Sequence, residues 1–326
     1  MPERLLTNAN AFAEGLREEM RRDQSIFIIG EDVIAHEGLF REFKDIPAQF
    51  PDRIINTPVS ETCVVGAGLG AALTGKRPLV VSHFIDFLTC AMDEIVNQAA
   101  KIRYMSGGQV KVPLVIWCAD GGRLNAAAQH SQSLEAWFVH TPGIKVVVSS
   151  EPYDAKGLIK SSLRDDGPVM FIQHKKIFGF QAHVPEEEYL VPLGQAAVKR
   201  QGRDVTLVTY GIGCHLCLEA AQELSRQGIE AEVIDLRTLK PLDMETIAES
   251  IKKTNRAVVV HEACLTGGFG GEIVARMQLE LFDYLDAPIV RVAGKDAPVP
   301  FSPPLEDRVL FSVAEVVEAA RAVLYR

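Results

Sequence analysis

The feature that most constrains this chain is its rhythm: short apolar runs alternate with stretches of helical spacing along the whole length. IFIIGED (26–32) reads as a buried strand ending in acid, and PLVVSHF (78–84), VPLVIWCAD (112–120), KVVVSS (145–150) and VMFIQH (169–174) read as further strands. Between them, residues 7–21 open with Thr7 as a cap and put Phe12, Leu16 and Met20 on one helical face. TCVVGAGLGAALTG (62–75) is rich in small residues and suits a helix that approaches another backbone closely. Residues 87–105 read as one helix ending at Gly107–Gly108, and 152–165 as another carrying Ala155, Leu158, Ile159 and Leu163. This is the α/β pattern of a mostly parallel sheet.

The rhythm breaks once. Residues 175–194 carry Pro185, Glu186–Glu187–Glu188 and Pro192, which puts a domain boundary there. We draw a first domain over 1–180, a linker over 181–194 and a second domain over 195–326. The second series runs through strands 205–211, 231–237, 257–263 and 289–294, with helices at 214–227, 243–253, 268–282 and about 313–324. A chain of 326 residues is long enough for two such domains.

Charge narrows the partners. The formal net charge of −9 argues against a nucleic-acid or anionic-membrane binder, which needs a basic face. No apolar stretch approaches the ~20 residues of a membrane span. The start, MPERLLTNANAF, lacks an apolar signal core. Six cysteines (63, 90, 118, 214, 217 and 264) are scattered in a pattern of reduced, buried thiols, not a disulfide framework. A cytoplasmic protein is expected.

Several residues have both a chemical and a plain reading. Gly66, Gly68 and Gly70 lack the spacing of a dinucleotide fingerprint, so tight packing of a helix against another is the better account. Gly267–Gly268 with Gly270–Gly271 opens a helix and could cradle an anion. Cys214 and Cys217 form a CxxC without the second ligand pair that zinc requires, which leaves two ordinary helix cysteines. His261 ends a strand, where open α/β sheets place ligands, and His130 lies in the polar loop AAAQHSQS. Glu61 precedes an apolar helix, either as a cap or as an acid in a dry pocket. Asp93 and Glu94 share a helix face with Asn97, which reads as a solvated or interface face.

Taken together, these stretches resemble one family along nearly the whole chain. The strings are GEDV (30–33), INTPVSE (55–61), KIRYMSGG (101–108), AAAQHSQSLEAW (126–137), PGIKVVV (142–148), YDAKGLIKSSLRDDGPV (153–169), EVIDLRTLKPLD (232–243) and LDAPIVRVAG (285–294). They resemble the β subunit of the thiamine-diphosphate-dependent decarboxylating component of 2-oxo acid dehydrogenase complexes, of the pyruvate or acetoin type. The resemblance implies an α/β fold with two domains: a transketolase-like pyrimidine-binding domain followed by a transketolase C-terminal-type domain.

The resemblance also implies roles. Thiamine chemistry begins with proton removal from a thiazolium carbon by the cofactor's own aminopyrimidine, in a tautomer that needs a carboxylate on a ring nitrogen. Glu61 matches that glutamate. Phe87 matches the aromatic stacked on the pyrimidine, Val59 an apolar residue beside the bent cofactor, and His83 a position near the pyrimidine where relatives often carry Gln or Met. His130 matches a histidine that handles protons on the intermediate or the incoming lipoyl group. Asp93 matches one acid of a proton path between paired sites, although the neighbouring acid of some relatives is Cys90 in this chain. A structural potassium site is implied at the carbonyls of Leu114, Ser162 and Leu163, with Asp165 and Gly167. The loop WCADGGRLN (117–125) departs from the usual one.

The family fold grips diphosphate and Mg²⁺ with G-D-G and an Asn some 25–30 residues later. This chain has ADGG at 119–122 with Asn125 far too close. The resemblance therefore implies a separate α subunit that brings the Mg²⁺ ligands, in an α₂β₂ heterotetramer serving a lipoyl acyltransferase. Two other readings stay open: a split transketolase-like subunit that transfers ketol groups, and a non-catalytic subunit that docks the acyltransferase. Pyruvate, acetoin and branched-chain 2-oxo acids are all open as substrates.

Overall fold

The apolar runs of the first series lie side by side as parallel strands. The computed structural model describes residues 4–35 and 37–325, so Met1–Glu3 of the N-terminal stretch lie outside the described residues. The chain forms two compact units. The first takes the residues up to Asp120 together with Trp137–Leu193, and the second takes Gly121–Ala136 together with the residues from Gly194 on.

In chain order the elements up to residue 193 are β1 (Leu5–Thr7), α1 (Asn8–Arg22), β2 (Ile26–Gly30), α2 (Ile46–Gln49), β3 (Ile54–Asn56), α3 (Glu61–Leu73), β4 (Arg77–Phe84), α4 (Ile102–Met105), β5 (Val115–Asp120), α5 (Glu135–Val139), β6 (Lys145–Ser149), α6 (Pro152–Arg164), β7 (Val169–His174) and β8 (Gln181–His183). The first unit's sheet runs β6-β7-β5-β4-β2-β3, with every neighbour parallel. Every residue of β5 is buried, which is why its sequence is a continuous apolar run without alternation. Thr7 caps α1 by accepting from Asn10 N–H at 3.1 Å. Phe12, Leu16 and Met20 then reach a core that includes Trp117, Phe43 and Phe171. Helices α1 and α6 cross closely at Gly15, where a Cβ would stand 2.8 Å from Lys156 O. The buried Lys156 ammonium there meets Glu14 at 2.7 Å and Glu18 at 2.9 Å, so the two helices share a paired charge cluster.

The stretch expected as a linker is packed. Its β8 pairs antiparallel with β1, Tyr189 stacks on Tyr153 at 4.3 Å, and Val191 packs against Gly157. Two proline breaks end regular structure there without freeing the chain. A second difference concerns residues 87–105. The single helix expected is a 3₁₀ turn over Phe87–Ala91, a π-helical segment over Asp93–Ala99 and then α4. Ala100 N–H bonds Ile95 O at 3.0 Å, and Thr62 Oγ1 donates to Cys90 O at 2.7 Å, tying the first turn to α3. Apolar spacing cannot register the extra residue of a π turn.

The second unit contains β9 (Ala197–Arg200), β10 (Val205–Thr209), α7 (Ile212–Arg226), β11 (Ala231–Asp235), β12 (Thr238–Lys240), α8 (Met244–Thr254), β13 (Ala257–Cys264), α9 (Gly270–Leu281), β14 (Val290–Gly294), α10 (Pro303–Val309) and α11 (Val313–Val323). Its sheet order is β14-β13-β10-β11-β9, parallel except for β9. That edge strand, AVKR, escaped the reading because it is short and mostly half-buried.

Candidate active site

Three adjacent strands of the first unit, in the order β4-β2-β3, end on one rim of the sheet. The carboxyl ends of parallel strands are where α/β proteins bind ligands. Chain leaving β2 places Glu31 there, chain leaving β3 delivers Val59 and Glu61, and chain leaving β4 delivers Phe87. Glu61 is the first residue of α3, where the positive end of the helix dipole favours a carboxylate. The Glu31 carboxyl is pushed up, first by burial and then by the negative charge of Glu61 and Asp32. Glu31 is therefore close enough to Glu61 for their charges to act on each other. Sequence reasoning missed it, although it stands inside GEDV. Phe87 is half-buried with its ring 6.1 Å from that of Phe84, and Val59 is 73 % exposed. An open apolar side chain, an aromatic face and a carboxylate suit a flat heteroaromatic ring with a basic nitrogen.

His83 departs from this group. It points, like Val81, to the side of β4 that faces the Phe12–Trp117 core, where its ring lies 5.9 Å from Trp117 and its Nε2 3.4 Å from Glu42. Only its backbone N–H turns toward the Glu31 carboxyl. Asp93 is exposed in the π segment and accepts from Asn97 Nδ2 at 2.6 Å, the neighbour read from the sequence. His130 lies in the segment Gly121–Ala136, which belongs to the second unit, in the 3₁₀ turn Ala128–His130.

The oxygens named for potassium are engaged in part. Leu114 O accepts from Val169 N–H at 2.9 Å and Ser162 O from Asp165 N–H at 3.2 Å. Arg77 Nη1 donates to Leu163 O at 3.1 Å and to Asp165 O at 2.9 Å. The Asp165 carboxylate holds Lys145 Nζ and Gly167 N–H, each at 2.8 Å. A carbonyl oxygen has two lone pairs, so one hydrogen bond does not exhaust its capacity to accept or to ligate.

Several other candidates take their plain reading. His261 is fully buried, and burial pushes it down to about 4. Its ring packs against the glycine turn: a Cβ on Gly268 or Gly270 would stand 2.5 or 2.3 Å from it, which is why both positions are glycine. Cys214 and Cys217 are buried on α7, and burial pushes the Cys217 thiol up to about 12, far from a reactive thiolate. All six cysteines are free, but Cys63, Cys90 and Cys264 are exposed, contrary to the expectation of buried thiols. Of the three α3 glycines only Gly68 is tightly packed, and against a strand: its Cβ would stand 2.3 Å from Val80 Cγ2. Among the described residues, no helix is long and apolar enough to cross a membrane.

A parallel sheet whose strand ends hold a carboxylate and an aromatic, followed by a second α/β unit, is an arrangement that transketolase-type proteins share, and the class follows from two domain matches. Residues 5–180 match the transketolase pyrimidine binding domain, and residues 194–316 match the transketolase C-terminal domain. The acetoin:2,6-dichlorophenolindophenol oxidoreductase subunit beta of Cupriavidus necator is 45 % identical over 96 % of this chain and 96 % of its own. The pyruvate dehydrogenase E1 component subunit beta of Rhizobium meliloti is 43 % identical over 98 % of this chain and 70 % of its own. That of Rickettsia felis is 44 % identical over 98 % of both. A solved split gene transketolase, an inactive β4 tetramer, superposes with a TM-score of 0.80 at 25 % identity over 98 % of both chains. The chain belongs to the thiamine-diphosphate-dependent family of pyruvate and acetoin dehydrogenase β subunits.

Proposed function

We propose that this chain is the β half of a thiamine-diphosphate-dependent dehydrogenase that cleaves pyruvate or acetoin and hands the acyl group to a lipoyl acyltransferase. The observation that carries the reading is the rim of β4-β2-β3, where Phe87, Glu31 and the Val59–Glu61 segment leave adjacent strands. Bound there, thiamine diphosphate supplies a carbanion at its thiazolium carbon. Glu61 would hold a proton against a pyrimidine nitrogen, Phe87 would stack on the ring, and Val59 would pack beside the cofactor. His130 would give or take a proton during acyl transfer. An α subunit in an α₂β₂ assembly would bring the diphosphate and Mg²⁺ ligands. A structural K⁺ at the oxygens around Leu163 and Asp165 would have to replace the Arg77 guanidinium and the Lys145 ammonium that they hold in this structure. The acidic composition and free cysteines support a cytoplasmic location. The split-transketolase reading has the weaker support: 25 % identity against 43–45 % for the dehydrogenase subunits.

The test reconstitutes this chain with its α partner and replaces Glu61 with Gln. A hydrogen bond to a charged group is worth roughly 1.5–3 kcal/mol, so turnover with an artificial electron acceptor should fall by about tenfold to a hundredfold while cofactor still binds. Turnover at the wild-type rate would refute the assignment.

A further inference from the structure

The loop that carries His130 is held in the second unit by two buried carboxylates. Glu262, at the end of β13, accepts from Gly122 N–H through Oε1 at 2.8 Å and pairs with Arg123 Nε through Oε2. Glu306 of α10 accepts from Arg123 N–H at 3.0 Å and from Asn125 N–H at 3.2 Å. Arg123 Nη2 reaches Phe311 O at 2.9 Å. At the far end, Tyr210 OH donates to the buried Glu135 at 2.6 Å. Gly121 N–H donates to Gln132 O at 3.0 Å, which ties the gripped start of the loop to the residues just after His130.

The loop needs this grip. Arg123, Asn125 and Ala127 all sit in the left-handed region, at φ of +68°, +55° and +63°. Asparagine adopts such backbone readily, but for Arg123 and Ala127 it persists only where the surroundings over-determine it. Glu262 and Glu306 are 8 % and 2 % exposed, so water contributes little, and both offer only acceptors to the loop's backbone donors. The grip falls on GGRLN, the stretch whose sequence departs from the usual family loop.

We infer that Glu262 and Glu306 are positioning residues, which set the backbone of Gly121–Ala136 and through it the place of His130. The inference rests on the reading of His130 as the group that handles protons in acyl transfer. Glu306→Gln keeps the size but turns an N–H toward a backbone N–H. Glu262→Gln supplies a second variant with its own part of the grip, should the first fold poorly.

Hydrogen exchange on the full chain reads the grip: the Arg123 and Asn125 amides should exchange at least about tenfold faster in Glu306→Gln. In the reconstituted enzyme, lipoyl-domain acylation should fall about 10²-fold, the cost of a misplacement near 1 Å, with cofactor affinity and artificial-acceptor turnover within a few-fold. Combined with His130→Gln, the variant should be no slower than His130→Gln alone, because both act through one imidazole. Unchanged exchange, unchanged acylation, or losses that multiply in the double variant would each overturn the inference. His130→Gln acylating at the wild-type rate would instead remove the parent reading, and this role with it, while faster exchange in Glu306→Gln would still show the grip.

Discussion

At the scale of single residues, the sharpest consequence comes from His83 and Glu42, buried 3.4 Å apart. Burial raises the Glu42 carboxyl from 4.5 to about 7, and burial lowers His83 from 6.5 to about 4, against a smaller upward pull from Asp32. Near pH 6 the folded pair is therefore neutral on both sides, while the unfolded chain holds a carboxylate and an imidazolium. The raised Glu42 contributes stability that is full below about pH 4.5 and is lost as pH rises through 7. The depressed His83 contributes stability that is full above about pH 6.5 and is lost as pH falls through 4. Each contribution totals on the order of 3 kcal/mol, and between pH 4.5 and 6.5 their opposite slopes cancel. The melting midpoint should be flat there from this pair, fall with rising pH in His83→Gln, and rise with pH in Glu42→Gln. A wild-type profile as steep as either variant's would exclude the neutral pair. The sequence marks His83 as unusual, but not its partner, which comes from a loop forty-one residues earlier in the chain.

At the scale of elements, α3 shows why composition alone misplaces a function. Its small residues announce a close approach, yet Gly68 alone makes one, against Val80, while a Cβ on Gly70 would meet nothing within 4 Å. Gly68→Ala should therefore lower the melting midpoint of the isolated chain, since overpacking costs typically 1–3 kcal/mol and outweighs a propensity gain of about 1 kcal/mol. Gly70→Ala should raise it, by roughly 0.5–1 kcal/mol. Equal shifts for the two would mean that Val80 moves aside. The long apolar strands and amphipathic helices α1, α6 and α11 are legible because period and burial coincide in them. The segment 87–105 is not, because 3₁₀, π and α turns share similar apolar spacing.

At the scale of the whole molecule, the chain carries a pyrimidine-type rim but no G-D-G…Asn signature for diphosphate and metal. Thiamine diphosphate with Mg²⁺ should accordingly bind the purified chain weakly in a calorimetric titration, and bind tightly once the α partner is added. Tight, Mg²⁺-dependent binding by this chain alone would refute a cofactor site divided between chains.

The apolar rhythm determined the order of the two α/β series, local context put Glu61 and His130 among the candidates and the family strings added Phe87, because apolar period and local motifs are properties of neighbouring residues. Tertiary structure decided what those residues meet. It assigned Gly121–Ala136 to the second unit, put Glu31 within reach of the charge on Glu61, packed His261 against Gly268 and Gly270, and turned His83 toward Glu42. Each of these depends on contacts between residues far apart in the chain, and on burial that local spacing cannot express.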